Sequence, residues 1–257
     1  MSKTVLITGS TSGIGLATAR LFASKGYNVA FNGLEPDGPA IAAEVAATHK
    51  VQHIFSPANM LDTHAVKAFV QETISTFGGI DVLINNAGIQ FVSPVEDFPE
   101  DKWNDILGIN LTAAFIATKA AWPAMKAAKY GRVINVSSAH GLIASAFKSA
   151  YVAAKHGIIG FTKVMALEGG PFGITCNAVC PGYVHTPIVE KQIGAQRQAH
   201  NLSREEVIAK VMLSEHAIKE FIPVETIAET IFFLADSAAG ATITGIAMPV
   251  DAGWTAH

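Results

Sequence analysis

Three side chains near the middle of the chain have the types and the spacing of an acid–base site. Tyr151 and Lys155 are four residues apart, so on a helix they share one face and can touch. Ser149 is placed to cap that helix. Ser138 follows the β-branched run 132–136, which is typical of a buried strand. A hydroxyl, a phenol and an ammonium are therefore expected together at the end of a strand, where parallel sheets bind ligands.

This group of side chains suits removal of a proton from an alcohol. A free tyrosine has a pKa of about 10, which is too high for a base at neutral pH. An ammonium one turn away, together with a positively charged cofactor, would lower that pKa by favouring the phenolate. The Ser138 hydroxyl would stabilise charge on the reacting oxygen. An ordinary amphipathic helix face is the alternative for Tyr151 and Lys155 alone. Alcohol oxidation also needs a hydride acceptor, so the rest of the chain should bind a cofactor.

The N-terminal segment predicts a dinucleotide site. A short apolar strand, 4–8, leads into a turn with Gly9, Gly13 and Gly15, and an amphipathic helix follows. Glycine is needed where backbone turns tightly or approaches a ligand, and the free N–H groups of the helix suit a pyrophosphate. An ordinary strand–helix turn is the alternative, but the strand before and the helix after favour the dinucleotide.

The second predicted strand, 28–32, bears on the choice of cofactor. Many dinucleotide sites have an acid about 20 residues beyond the glycines, which binds the ribose 2′-hydroxyl. Here Gly33 and Leu34 follow the strand, and Glu35 is displaced. Neither this segment nor 10–12 contains a lysine or arginine for a 2′-phosphate. The lack of a cation disfavours NADP and predicts NAD.

Polar and small residues follow the next strands. Asn59 is placed either to meet an adenine amino group or simply to form a turn. After the strand 82–84, the small residues 86–88 would let the backbone pass under a cofactor, and Gln90 would face the cleft. Asn110 lies inside a predicted helix, where asparagine competes with backbone hydrogen bonds. Such a conflict indicates a functional residue, although a solvent-facing asparagine would also explain it.

Composition and pattern predict one α/β domain over 1–257. The chain has 257 residues, is 50% hydrophobic and carries a net charge of −3. Alternating strands and helices predict a doubly wound parallel sheet of about seven strands with flanking helices. The polar stretch 188–221 is expected to form a helical substrate lid. The absence of charge runs and of long apolar stretches predicts no nucleic-acid partner, no membrane segment and a cytoplasmic location.

The two cysteines are predicted to be free. Cys176 and Cys180 lie four apart on one predicted strand, so their Cα atoms would be about 13 Å apart. This separation is too long for a disulfide. Two buried thiols and no metal site are expected.

Together these motifs resemble the short-chain dehydrogenase/reductase family over nearly the whole chain. The matching motifs, in order, are Thr8-Gly9-x3-Gly13-x-Gly15, Asn85-Asn86-Ala87-Gly88, Asn110, Ser138, Tyr151-x3-Lys155 and Pro181-Gly182. The resemblance implies a Rossmann-like fold, a homotetramer and a catalytic set of Asn110, Ser138, Tyr151 and Lys155, with Asn110 placing a water that relays the proton from Lys155. It implies a nicotinamide cofactor bound by Gly9, Thr11, Ser12, Gly13, Ile14, Gly15, Leu34, Asn59, Met60, Asn86, Ala87, Gly88, Tyr151, Lys155, Pro181, Gly182, Val184 and Thr186.

Within the family, the segments 88–90, 138–142, 148–157, 186–193 and 251–255 resemble members that oxidise (R)-3-hydroxybutyrate to acetoacetate with NAD⁺. This resemblance implies a substrate carboxylate bound by four polar side chains and a methyl group beside Trp254. The implied substrate residues are Gln90, Ser138, His140, Lys148, Tyr151, Gln192 and Trp254. The alternative is that Lys148 and Gln192 are solvated and His140 only supports Ser138.

Three other functions remain open at this point. One is reduction of a 3-oxoacyl thioester with NADPH, which would need a cationic 2′-phosphate site. A second is a dehydrogenase of another short hydroxy acid. The third, from a different class, is a catalytically silent NAD-binding sensor, for which an incomplete Ser–Tyr–Lys set would be typical.

Overall fold

The computed structural model describes residues 2–200 and 202–256, and a seven-stranded parallel sheet lies at its centre. The strands are β1 (Thr4–Ile7), β2 (Asn28–Asn32), β3 (His53–Ser56), β4 (Val82–Asn85), β5 (Gly131–Val136), β6 (Ile174–Pro181) and β7 (Ala247–Val250). Their order across the sheet is β3-β2-β1-β4-β5-β6-β7. The longest pairing joins β5 to β6, from Gly131 with Ile174 to Val136 with Val179. The predicted fold class is confirmed, and so are the strands predicted at 4–8, 28–32, 82–84 and 132–136, to within one residue at each end.

Helices cover both faces of the sheet, as its central strands β1, β4, β5 and β6, which are buried along their whole length, require. They are α1 (Gly13–Ser24), α2 (Gly38–His49), α3 (Thr63–Phe77), α4 (Glu100–Leu107), α5 (Ala113–Ala128), α6 (Ser149–Gly169), α7 (Pro187–His200), α8 (Arg204–Val207) and α9 (Val224–Asp236). Phe22 of α1 and Ile231 of α9 pack with Phe31 on one face. Phe69 of α3 and Met125 of α5 pack with Leu83 on the other. None of the helices in the described residues is both long and apolar enough to cross a membrane.

The topology explains where the cleft lies. From β1 the chain moves outward to β2 and β3, then returns to place β4 on the other side of β1. At such a reversal the loops after neighbouring strands diverge and leave a crevice at their carboxyl ends. Gly9 follows β1 and Asn86 follows β4, so both lie at this crevice.

Two local features concern the residues singled out above. Ser149 was expected to cap α6, but this is wrong: Lys148 is the N-cap residue, without a side-chain capping bond, and Ser149 is the first helical residue. The predicted helix around Asn110 is interrupted by a π-turn, Gly108–Thr112, between α4 and α5. Both cysteines are buried and unpaired, as predicted.

The polar stretch 188–221 forms short helices within the described residues. It contains most of α7, then α8 and a π-turn, Ile208–Met212. Val189 and Ile193 of α7 pack against Val207 of α8 and Met212 of the π-turn. This small apolar cluster makes the segment a compact unit beside the cleft.

Candidate active site

A cleft of about 810 Å³ opens at the carboxyl ends of the strands. All the predicted cofactor-binding residues except Gly15 line it, and so do all the predicted substrate-binding residues. Of the predicted catalytic residues, Asn110 lies outside the lining. The structure therefore brings together side chains that are spread over most of the chain.

The turn after β1 has the geometry that glycine permits. Gly9 and Gly13 have φ angles of +62° and +51°, in the left-handed region. A Cβ on Gly15 would lie 2.1 Å from the carbonyl oxygen of Gly9 and 2.6 Å from Nδ2 of Asn86. Asn86 Nδ2 donates to the carbonyl oxygens of Thr8 (2.9 Å) and Gly9 (2.8 Å). The lack of a side chain at Gly15 thus leaves room for the Gly9 carbonyl, and the Asn86 amide fixes the turn with two hydrogen bonds.

One end of the cleft is formed by the residues after β2. Leu34 is 65% exposed, an open apolar surface of the kind on which an adenosine can rest. Glu35 also lines the cleft and accepts a hydrogen bond from Thr11 Oγ1, which lowers the pKa of the carboxyl. The sequence predicts that Glu35 is displaced from the cofactor site, whereas the structure includes it in the lining of the cleft. Asn59 lines the cleft too, while its Oδ1 accepts from the Leu61 N–H (3.0 Å), so it forms a turn as well.

The predicted acid–base group lies at the other end. Lys155 Nζ donates to the carbonyl oxygen of Val136 (2.8 Å) and lies 5.5 Å from the centre of the Tyr151 ring. Burial lowers the pKa of Lys155 to about 8. Burial raises the pKa of Tyr151, and a hydrogen bond with Ser138 offsets part of that rise. The expected lowering of the Tyr151 pKa is therefore absent in the protein alone, because desolvation outweighs its neighbours.

His140 connects the acid–base group to Lys148. Ser138 Oγ accepts from the His140 N–H (3.1 Å), and Lys148 Nζ lies 3.4 Å from His140 Nε2. Burial and the Lys148 charge lower the pKa of His140 to about 3, so the imidazole is neutral. Nε2 also lies 2.9 Å from Ser145 Oγ, and Nδ1 lies 3.5 Å from Ser138 Oγ.

The four predicted carboxylate ligands form two pairs that line the same cleft. Lys148 contacts His140, and burial lowers the pKa of Lys148 to about 8. Gln192 Nε2 donates to Gln90 Oε1 (2.7 Å), while Gln90 Nε2 is buried with no partner among the described residues. Leaving such a donor unsatisfied costs roughly 1–3 kcal/mol, so the site favours a bound acceptor.

Aromatic rings close one wall of the cleft. Trp254 stacks on Tyr183 at 5.1 Å and 12°, and it meets the edge of His140 at 5.0 Å. Tyr183 Oη accepts from Lys148 Nζ (3.4 Å), and the buried His216 packs on both Tyr183 and Trp254. Sequence reasoning missed Tyr183 and His216. The position of Tyr183 directly after the strand-end motif could have revealed it, whereas nothing in the pattern marked His216.

Asn110 acts on the loop that carries Gln90. Its Oδ1 accepts from the Ile89 N–H (2.8 Å) and its Nδ2 donates to the Ile89 carbonyl (2.9 Å), so the amide pairs with one backbone unit. The π-turn places this side chain inside the fold. A small cavity of about 10 Å³ adjoins it and is also lined by Asn85, whose Oδ1 is buried without a partner in the described residues.

Comparison with known families identifies the fold. The family profile described as short chain dehydrogenase matches residues 3–197. The chain belongs to this family. As a short-chain dehydrogenase it is an oxidoreductase whose family uses a nicotinamide cofactor, as the resemblance implied.

Full-length relatives of this short-chain dehydrogenase carry two kinds of name. D-beta-hydroxybutyrate dehydrogenase of Rhizobium meliloti (strain 1021) is 48% identical over 100% of both chains. The protein of the same name from Cupriavidus necator is 45% identical over 99% of this chain and 98% of the relative. A 3-oxoacyl-[acyl-carrier-protein] reductase of Staphylococcus aureus is 36% identical over 98% of each. The chain is therefore similar along its whole length to enzymes that act on 3-hydroxy or 3-oxo compounds.

Proposed function

We propose that this short-chain dehydrogenase oxidises (R)-3-hydroxybutyrate to acetoacetate with NAD⁺, reversibly. The main support for this substrate is that two pairs of polar side chains, Lys148–His140 and Gln90–Gln192, line the same cleft as Ser138 and Tyr151. In a 3-hydroxy acid, one methylene group separates the carboxylate from the carbon that carries the hydroxyl. The names of the two relatives at 45% and 48% identity support the same substrate.

The chemistry takes place at the hydroxyl end. The substrate hydroxyl would lie between Ser138 and Tyr151, and the phenolate of Tyr151 takes its proton. Ser138 Oγ accepts from the His140 N–H, and its hydroxyl would donate to the substrate oxygen and stabilise charge there. A nicotinamide cofactor held by the glycine turn and by Tyr151 and Lys155 would supply the acceptor for the hydride. Reduction of acetoacetate runs through the same groups in reverse.

Lys155 and Asn110 would return the proton to solvent. Lys155 has a pKa near 8, so it can both lose and gain a proton at neutral pH. The cavity of about 10 Å³ beside Asn110 and Asn85 matches a single water, and Asn85 Oδ1 has an acceptor lone pair to offer it. This arrangement supports the relay that the resemblance implied.

The carboxylate end sets substrate choice. A carboxylate removed from water needs a charged or hydrogen-bonding partner, and the Lys148 ammonium supplies one. The free Gln90 amide supplies a second donor, and Trp254 closes the apolar side of the site. A thioester has no carboxylate for Lys148, so the cluster favours a free acid over the acyl-carrier substrate of the 36% relative. The complete Ser138, Tyr151 and Lys155 set favours an enzyme over a sensor.

The residues after β2 support NAD as the cofactor. Among the described residues that line the cleft, Lys148 and Lys155 are the cations, and both lie with the catalytic group. The end formed by Leu34 has the Glu35 carboxylate instead. A negative carboxylate disfavours a 2′-phosphate and suits a 2′-hydroxyl.

A steady-state assay tests this proposal. NADH formation is followed by absorbance with (R)-3-hydroxybutyrate and NAD⁺, with the (S) enantiomer and NADP⁺ as controls. Consumption of NADPH with a 3-oxoacyl thioester is measured in a parallel control. We expect turnover with the (R) acid and NAD⁺. Lys148→Ala should raise KM roughly 10- to 150-fold, the loss of one hydrogen bond to a charged group. Turnover of the thioester alone, or an unchanged KM in Lys148→Ala, would refute the carboxylate assignment.

We further propose that residues 188–221 act as a lid that closes over the substrate. The hydrogen bond between Gln192 of α7 and Gln90 joins this segment to the opposite rim of the cleft. Closure should protect the segment from proteases when NAD⁺ and substrate are both present. Equal cleavage with and without the ligands would contradict the lid.

A homotetramer in the cytoplasm is the remaining part of the proposal. Phe115 of α5 and Leu167 of α6 are 45% and 81% exposed, and Val164 lies one turn from Leu167 with 51% exposure. An exposed apolar face of this kind is typical of a contact between subunits. Light scattering of the purified protein measures the assembly, and a monomer would contradict it. The two free buried thiols suit a reducing compartment.

A further inference from the structure

Phe147 has an unusual backbone conformation directly before Lys148. Its φ angle is +67°, in the left-handed region that bulky residues rarely adopt. Lys50 and Lys129 share this conformation, but they end α2 and α5, where a left-handed residue commonly follows a helix. Phe147 instead lies before the start of α6. Left-handed residues of this type cluster at functional sites, where the surrounding structure holds them.

The phenyl ring does not explain the conformation. It is 57% exposed, so its burial contributes little to holding the backbone. The Phe147 carbonyl oxygen accepts from the Ser93 N–H (2.9 Å), which ties this turn to the loop that follows Gln90. The next side chain, Lys148, is buried and reaches His140 and Tyr183. The left-handed turn is therefore held by the hydrogen bond of the Phe147 carbonyl and by the contacts of the Lys148 side chain, not by the phenyl ring.

We propose that Phe147 is a positioning residue for substrate recognition. The φ angle of Phe147 sets the direction in which Lys148 leaves the chain, so the left-handed turn aims the ammonium into the cleft. The Ser93 bond fixes the Gln90 loop against the same turn, and one backbone unit thereby sets the distance between the two carboxylate-binding pairs. This inference rests on the proposed role of Lys148 as a carboxylate ligand.

Substitutions that differ in their tolerance of positive φ test the proposal. Phe147→Asn and Phe147→Gly keep the left-handed conformation accessible, whereas the β-branched Phe147→Val and Phe147→Thr disfavour it. All four remove the ring, so differences between them report on the backbone. We expect the Val and Thr variants to raise KM for (R)-3-hydroxybutyrate about tenfold over Asn, as a charge-assisted contact lengthens. The kcat and the Kd for NADH should stay unchanged.

Lys129 provides a matched control. It is a left-handed, non-glycine residue at the end of α5 and does not line the cleft. Lys129→Val should lower Tm relative to Lys129→Asn and leave KM unchanged. Should Phe147→Val fail to fold, the more polar Phe147→Thr gives the same comparison with Phe147→Asn.

A double variant separates the positioning role from the proposed function. In Phe147→Val combined with Lys148→Ala, KM should equal that of Lys148→Ala, because the role of Phe147 is to set the position of the Lys148 ammonium relative to Gln90, and that position no longer matters when the ammonium is absent. If Lys148→Ala raises KM but the Val, Thr and Asn variants of Phe147 match one another, the positioning role is overturned. It is also overturned if Phe147→Val raises KM further on the Lys148→Ala background. An unchanged KM in Lys148→Ala alone would overturn the carboxylate role of Lys148, and the inference with it.

Discussion

The charge on Lys148 should make carboxylate binding weaken above pH 8. Burial lowers the pKa of Lys148 to about 8, and only the ammonium form attracts a carboxylate. The apparent dissociation constant then scales with 1 + 10^(pH − pKa), which is about 1.1 at pH 7 and about 11 at pH 9. Between these values the constant should rise about tenfold, equivalent to about 1.4 kcal/mol of binding free energy.

Competitive inhibition by propionate measures this titration without chemistry. Propionate has the carboxylate but no hydroxyl, so catalytic proton transfer does not enter its inhibition constant. Lys155 also has a pKa of about 8, but its ammonium lies at the Val136 carbonyl and beside Tyr151, at the hydroxyl end of the site. A plot of the logarithm of the inhibition constant against pH should be flat below pH 7 and rise above pH 8 with a slope approaching one. Lys148→Arg stays charged over this range, so its profile should be flat. A flat profile for the unmodified enzyme, or an equal rise in Lys148→Arg, would refute the reasoning.

Three further predictions concern the cofactor turn, the base and the core. Gly15→Ala places a Cβ 2.1 Å from the Gly9 carbonyl and should weaken NADH binding at least about tenfold in a fluorescence titration, and an unchanged Kd would contradict this. Tyr151→Phe should lower kcat by about 10²–10⁴-fold while NADH affinity stays the same, and substantial turnover would exclude Tyr151 as the base. Phe22 is a fully buried core residue of α1. Phe22→Ala should lower the free energy of unfolding, measured in urea, by about 3–5 kcal/mol. A loss below about 1 kcal/mol would contradict the core role of Phe22.

The sequence predicts the strands, the glycine turn and the Tyr151–Lys155 pair because each depends on residues that are close together in the chain. The apolar runs predict most of the strands, since a parallel strand buried on both faces is rich in apolar residues. The spacing of Gly9, Gly13 and Gly15 predicts the turn because two of these positions have positive φ and the third has no room for a Cβ. Tyr151 and Lys155 are predictable because their relation is set within one helix.

The features that sequence pattern missed depend on contacts between distant segments. Ser149 has the residue type of a cap, yet the left-handed turn before Lys148 moves the helix start by one residue. His216 is buried against Tyr183 and Trp254, two rings from other parts of the chain, so no spacing could reveal it. Glu35 belongs to the cleft through Thr11, 24 positions earlier, rather than through its place on the strand.

Burial favours the neutral form of the side chain at both ends of the active site, because it lowers the pKa of Lys148 and raises that of Tyr151. At the carboxylate end, desolvation lowers the pKa of Lys148, and an incoming anion raises it again by favouring the charged form. At the hydroxyl end, desolvation keeps Tyr151 protonated, and its neighbour Lys155 is itself held near a pKa of 8. The protein alone therefore favours a neutral phenol, and under the proposed function the positive charge of the oxidised cofactor is what favours the phenolate. The base is then formed mainly in the complex that is ready to accept a hydride, which couples proton removal to the presence of the oxidised cofactor.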